Sequence, residues 1–235
     1  LTAGAAVKAN LTRLAFDKIR DAIVRGALDL GEPLSEVALA KALGVSKAPI
    51  RAAMSELRVK GLVEIVPHSG TYVFSPTRED IEHLCEFRFL LEGRALGDAM
   101  SRHREPLVAD LRRVVRATQE AATSHAEWKR LDSEFHQLFV VHADNRYLAD
   151  AYETIGHRVE ALRNRFMDTP VYRNKACAEH EELLALLESN QVSKAVAVLG
   201  EHIARTRHFQ SNVTWSRGRS RRSEYRFREH AGVFG

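Results

Sequence analysis

Four residues stand where an apolar core is expected and carry chemistry instead. Asp132 and His136 are spaced i, i+4, so on a helix their Cβ atoms lie about 40° apart on one face. They flank the apolar stripe of Trp128, Leu131, Phe135, Leu138 and Phe139. His180 belongs to a stripe with Cys177, Leu183, Leu184 and Leu187, and His202 to one with Ala195, Val198, Leu199 and Thr206. Three helical stretches thus each point an imidazole or a carboxylate inward, which is how an all-helical bundle assembles a metal site. One carboxylate oxygen and three imidazole nitrogens suit a borderline divalent ion. Zinc comes first, then nickel, cobalt, manganese or iron, with positions left for water or a ligand. Taken singly, each histidine reads as readily as a hydrogen-bonded core or surface residue, and eleven histidines make chance alignment easy.

Arg88 is a second polar intruder. It interrupts the stripe of Ile81, Leu84, Leu91 and Ala95, and a buried arginine needs a partner or an anionic ligand. Glu92, one turn on, is one such partner; a bound carboxylate is the other. Arg163 and Arg165, on a later amphipathic stretch, are further candidates to line a cavity.

The elements that would position these groups are helical almost throughout. From the short linker Ser75-Pro76-Thr77 to about residue 212 the periodicity predicts six helices, at 78–103, 106–122, 125–143, 147–167, 172–189 and 191–210. Pro106, Asn145, Pro170 and Asn190 mark the breaks. Thr77-x-x-Asp80 reads as a variant of the capping box at the first of them.

Ahead of them the texture differs. Residues 1–9 are weakly patterned and read as an unstructured start, after which Leu14, Ile19, Ile23 and Val24 mark a helix ending near Gly26. A loop at 29–33 follows. Ser35 is placed to cap a second helix with Leu39, Ala40 and Leu43 on its buried face, and Gly44 supplies the positive φ that ends it. Ser46 then caps a third helix, with Pro49 in its first turn, where a missing N–H costs little. Ile50, Met54 and Leu57 form its inner stripe, which turns Lys47, Arg51 and Arg58 outward. Gly61–Val66 and Thr71–Phe74 read as a β-hairpin with His68, Ser69 and Gly70 at its tip. A helix-turn-helix with cations on the N-terminal outer face of its second helix is suited to the major groove of duplex DNA. Arg51 can meet guanine O6 and N7 with two hydrogen bonds, Lys47 with less geometric definition. Ser46 and the helix N-terminus can meet a phosphate, and glycine at the hairpin tip permits close backbone approach.

Composition narrows the class further. The net charge of +4 resides in the segment from Ser216 onward, which holds six Arg and two Glu; the other 29 basic and 29 acidic residues cancel. The basic stretch 213–235 reads as an unstructured tail without the interleaved aromatics of a base-stacking platform, so a general nucleic-acid binder driven by that tail is disfavoured. No apolar run approaches the ~20 residues that span a bilayer, and the start lacks the order of a signal peptide. Cys85 and Cys177 show no metal or redox spacing. Together these predict a cytoplasmic protein with reduced thiols and no membrane association.

Two resemblances now sharpen the reading. Residues 11–74 resemble the N-terminal domain of GntR-type bacterial transcription regulators, through Gly31-x-x-Leu34, Leu39-Ala40, Leu43-Gly44-Val45-Ser46, Pro49-Ile50-Arg51, Leu57, Gly61-Leu62-Val63 and Gly70-x-x-Val73. This implies DNA contacts at Lys47, Ala48 and Arg51 and at the wing around Ser69 and Gly70. Lys47 stands where Arg is usual in that family, Ala48 where a polar residue is common and Ala52 where Glu is common. Residues 81–210 resemble the FCD effector domain of the FadR-like branch, through Glu86-x-Arg88-x-x-Leu91-Glu92, Asp132-x-x-Phe135-His136, Glu179-His180, and His202 after Ala195-x-x-x-Leu199. This implies a divalent metal on Asp132, His136, His180 and His202, and supports Arg88 as the group fixing the far end of a small organic acid.

The expected fold is therefore mainly α. An N-terminal winged helix-turn-helix with a small β-hairpin wing (8–75) precedes an all-α antiparallel helical-bundle effector domain (78–212) and the basic tail (213–235). The expected function is transcriptional regulation, as a repressor rather than an activator, with a small carboxylate effector at a divalent-metal site modulating operator binding. A homodimer on a pseudo-palindromic double-stranded operator follows from head-type recognition of paired half-sites. Phe87 and Leu90, outside the inner stripe of the long helix, are available for subunit contacts. The competing class is a metal-dependent enzyme acting on small organic acids; no general base stands out beside the four ligands, and an enzyme has no need of the head.

Overall fold

In a computed structural model, residues 3–120, 124–166, 169–205 and 234 are described. They form nine helices and three short strands, a mainly α fold with a small antiparallel sheet. The expected basic tail at 213–235 lies outside the described residues, Phe234 excepted, as does the expected helical stretch 206–210. Two compact units are distinguishable. One holds the chain to Thr77 together with His157–Arg165; the other holds Arg78–Gly156 and resumes at Phe166. No helix among the described residues is long and apolar enough to cross a membrane.

The first unit opens with α1 (Ala3–Arg25) and continues through β1 (Pro33–Leu34), α2 (Glu36–Leu43), α3 (Lys47–Val59), β2 (Val63–Val66) and β3 (Gly70–Val73). Helix α1 starts at Ala3, inside the stretch expected to be unstructured. Ala3, Ala5, Ala6 and Ala9 give that stretch high helix propensity without an apolar pattern. Ala15, Phe16, Ile19, Ala22 and Ile23 form the buried face of α1 and pack on α3 through Ile50, Ala53, Met54 and Leu57. Leu14, expected on that face, is exposed; at about 100° per residue it falls on the far side of the stripe.

The punctuation is local. Ser35 Oγ accepts from the Ala38 N–H at 3.3 Å. Gly44 takes φ 66° and its successor Val45 donates back to Ala40 at 3.1 Å, closing α2. Ser46 occupies the N-cap of α3 in extended conformation but makes no side-chain cap bond, so its hydroxyl is not committed to its own helix. The sheet order is β1-β3-β2, all antiparallel, with Leu34 opposite Thr71 and Val63 opposite Val73. Strand β1 corrects the sequence reading of a loop at Pro33. Two residues carry no alternation, and only pairing with β3 defines them as a strand.

The remainder of this unit is the end of α7 (Arg146–Phe166). Asn164 donates to Val24 O at 3.1 Å, and Arg165 Nη2 donates to Ile23 O and Leu28 O at 2.8 and 2.6 Å. These include carbonyls at the C-terminus of α1, which lack intrahelical donors. A cation there also meets the negative end of the helix dipole. Burial lowers the Arg165 guanidinium to about 10, against the pull of Asp29. Arg165→Met is expected to destabilise this unit by about 1–3 kcal/mol, read as a lower urea midpoint. An unchanged midpoint would mean that water replaces the cap without loss.

The second unit contains α4 (Arg78–Arg102), α5 (Arg104–Glu120), α6 (His125–His142), the first part of α7, α8 (Pro170–Glu188) and α9 (Val192–Ala204). Helix α4 packs on α6 and α9, α5 on α6 and α8, and α8 on α9. Asn145 starts α7 by accepting from Tyr147 and Leu148 N–H, and Thr169 starts α8 by accepting from Tyr172 N–H. Pro106 does not mark the break before α5; it sits in that helix's first turn, which tolerates proline.

Candidate metal centre and nucleic-acid interface

Helix α6 buries Trp128, Leu131, Phe135 and Phe139, and the same face carries Asp132 and His136 into the interior. Helix α8 brings His180 and Glu179, α9 brings His202, and α4 brings Arg88 and Glu92. The four candidate ligands meet: one donor atom from each of Asp132, His136, His180 and His202 lies within 4.8 Å of the others, and all four residues are buried. Ring centroids of the three imidazoles are 5.0–5.4 Å apart. His180 stacks on Phe135 at 3.9 Å, which fixes its plane. Its Nε2 is 3.7 Å from Asp132 Oδ1.

The tautomers are set from behind. His136 Nδ1 is 2.9 Å from Glu92 Oε2, and His202 Nδ1 is 2.8 Å from Glu179 Oε2. A carboxylate oxygen accepts, so each Nδ1 donates, which in a neutral ring leaves Nε2 as the acceptor nitrogen. Those two Nε2 atoms face one another at 3.2 Å. Two nitrogens each about 2.1 Å from one ion, at angles of about 90–109°, are about 3.0–3.4 Å apart. The donor set and the spacing therefore fit a divalent cation.

Glu92 is the hub behind the cluster. Fully buried, it accepts from Arg88 Nε at 2.6 Å and from Tyr152 OH at 2.9 Å, besides His136. Burial works against the Arg88 charge, but Glu92, with Tyr152 and Asp132, outweighs it and raises the guanidinium above its ordinary value. Arg88 thus takes the intrahelical partner that its i, i+4 spacing allowed. Glu179 likewise pairs Oε1 with Arg205.

Sequence reasoning missed Glu92 and Glu179 as the groups that orient the imidazoles. The available signal was the general need of a metal-ligating histidine for a carboxylate behind it. Tyr152 gave none. Arg163 and Arg165, read as possible cavity lining, both belong to the unit that holds the head, where Arg163 is buried and Arg165 is engaged with α1. Cys177 is a bland thiol. Burial pushes it up, and it accepts from Trp128 Nε1 at 3.3 Å.

In the first unit, Ser46, Lys47, Ala48 and Arg51 are exposed at the start of α3, and Ser69 and Gly70 are exposed at the wing tip. His68 adopts φ 57° and Gly70 φ 133° to turn the hairpin. Tyr72 OH donates to Ser69 O at 3.0 Å and lies 2.8 Å from Ser69 Oγ, which stiffens the tip. Arg51 meets Glu36 across the turn, Nη2 to Oε2 at 2.9 Å, and that carboxylate raises the arginine's pKa.

Comparison with known proteins places both units. Residues 11–73 match the gntR family of bacterial regulatory proteins, and residues 83–205 match the FCD domain. The chain is 30% identical over 214 residues to the "Probable D-xylose utilization operon transcriptional repressor" of Paenarthrobacter nicotinovorans, covering 85% of this chain and 90% of that one. It is 29% identical over 151 residues to the uncharacterized HTH-type regulator YdhC of Bacillus subtilis, covering 63% and 67%. A solved GntR protein from Rhodococcus sp. RHA1 superposes with a TM-score of 0.72 at 20% identity, over 87% of this chain and 99% of that one. These relatives are transcriptional regulators rather than enzymes. A gntR-type head followed by an FCD domain makes this chain a member of the GntR family, a DNA-binding transcriptional regulator.

Proposed function

We propose that the protein is an effector-responsive repressor whose operator affinity is set by a small organic acid bound at a divalent-metal centre. The observation that carries this is the convergence of two carboxylate-anchored imidazoles, Nε2 to Nε2 at 3.2 Å, with His180 and Asp132. Asp132, His136, His180 and His202 would hold the ion, zinc first among nickel, cobalt, manganese and iron. When bound, the ion supplies Lewis-acid positions for a carboxylate. Arg88 keeps a positive charge close to this cluster, held cationic by Glu92, and so attracts the acid's other end. In the head, Ser46, Lys47, Ala48, Arg51, Ser69 and Gly70 would contact duplex DNA, Lys47 and Arg51 reading bases and the others positioning the backbone.

The acid must bind one arrangement of a dimer's two heads better than the other, since only differential affinity shifts such an equilibrium. A homodimer in the cytoplasm on a pseudo-palindromic operator is the setting. The relative's printed name, a repressor of a sugar-utilization operon, favours repression. The test is a thermal-shift screen of hydroxy, sugar and dicarboxylic acids with and without divalent ions. A binder at ~100 times its Kd should add about 2.7 kcal/mol, and the acid's shift should require the metal. If no divalent ion moves the transition, the metal centre is wrong. If metals stabilise but no acid adds to them, the effector class is wrong.

A further inference from the structure

Arg51 has an exposed side chain, yet it is held. Its Nε lies 3.2 and 3.3 Å from Glu36 Oε1 and Oε2, and its Nη2 lies 2.9 Å from Oε2. These contacts occupy one edge of the guanidinium. Arginine presents its five N–H groups in a planar fork, so the other edge, Nη1 with the second Nη2 hydrogen, remains the one directed away from the carboxylate. That edge is sufficient for two hydrogen bonds to guanine O6 and N7.

Glu36 is itself well placed. It is the first residue of α2, directly after the Ser35 cap, where the helix dipole favours a carboxylate. The pair spans fifteen residues and joins both helices of the helix-turn-helix through the reading side chain. An exposed pair of this kind contributes little to folding. Its consequence lies in side-chain order, because an unheld arginine loses rotamer freedom when it docks.

We propose that Glu36 is a specificity-determining residue that holds the Arg51 fork ready for a guanine in each half-site. The proposal rests on the reading that Arg51 contacts bases. A carboxylate there also repels phosphates, which weakens binding to any sequence. That repulsion acts on both kinds of site alike, so only the holding of Arg51 changes the ratio of specific to non-specific binding.

The test uses the full chain and two duplexes: one recovered from a randomised pool by the wild-type protein, and a scrambled duplex of the same composition. Glu36→Gln should bind the recovered duplex about five- to tenfold more weakly, the low end for one two-bonded base contact. Its binding to the scrambled duplex should hold or strengthen. Glu36→Asp keeps the charge but withdraws the carboxylate by one methylene, and should lose discrimination in the same way. Base preference should relax at one G·C pair per half-site, the same pair that Arg51→Ala relaxes. The double variant should bind no more weakly than Arg51→Ala.

Stronger binding of Glu36→Gln to both duplexes alike would overturn the proposal, leaving Glu36 as a phosphate-repelling charge only. So would a Glu36→Gln loss that persists undiminished in the Arg51→Ala background. If Arg51→Ala itself binds the recovered duplex as wild type does, the base-reading role of Arg51 is what fails, and the buttress with it.

Discussion

Glu92→Ala is expected to destabilise the helical unit by about 3–5 kcal/mol, the range for removing one partner of a buried ion pair. The size follows from what is left behind. Arg88 and Glu92 have side chains 3% and 0% exposed, so removing the carboxylate strands a cation away from water. Tyr152 loses the acceptor of its hydroxyl and His136 the group that fixes its tautomer. A urea titration of the metal-free protein measures the effect without any contribution from bound ion. The pair itself need not stabilise: a double replacement, Arg88→Met with Glu92→Leu, removes both charges and should recover most of the loss. A single variant with a wild-type midpoint would show that solvent reaches Arg88 and that Glu92 is no hub. In the metal-loaded protein Glu92→Ala should also weaken metal affinity by about 10–100-fold, the usual cost of losing a carboxylate behind a ligating histidine.

Much of this architecture is legible in the chain because its signals are local. Ser35, Gly44 and Pro49 are each explained by a single turn of backbone, and they delimit the helix-turn-helix without reference to anything distant. Asp132, His136, His180 and His202 are visible for a related reason: each breaks an apolar stripe on its own helix, and the family resemblance then supplies the grouping. What the sequence does not mark depends on contacts between distant segments. Glu92 at i+4 from Arg88 looks like any helical ion pair, and nothing in α4 alone says that Tyr152 and His136 also point at it. Arg165 looks like a lining residue because its partners are the backbone carbonyls of Ile23 and Leu28, which every residue possesses and no sequence marks. Strand β1 exists only because β3 pairs with it. The Arg51–Glu36 pair is intermediate. Arg51 is legible on its helix, but its meeting with Glu36 depends on how the Gly44 turn sets α2 against α3.

His136→Ala is expected to weaken metal binding by roughly two orders of magnitude, and this is the largest single effect at the candidate centre. His136 supplies one Nε2 of the pair at 3.2 Å and is the candidate ligand tied to Glu92. Structural zinc sites with four ligands bind with about 10–16 kcal/mol. Loss of one ligand therefore removes about 3 kcal/mol, or roughly two orders of magnitude in affinity. Metal affinity, measured by competition with a chelator of known affinity, should fall by that factor. A buried histidine replaced by alanine also leaves a cavity, so loss of fold must be separated from loss of ligand. His136→Gln preserves more of the volume and the polarity, and should retain the helical transition while still losing metal affinity. Chelation offers the reciprocal reading. In the wild type it should lower the thermal transition, because the stabilisation contributed by the bound ion is lost. In His136→Gln the same chelator should change little, since that variant has little bound ion to lose. Wild-type metal affinity in both variants would exclude His136 from coordination and move the centre to the remaining donors.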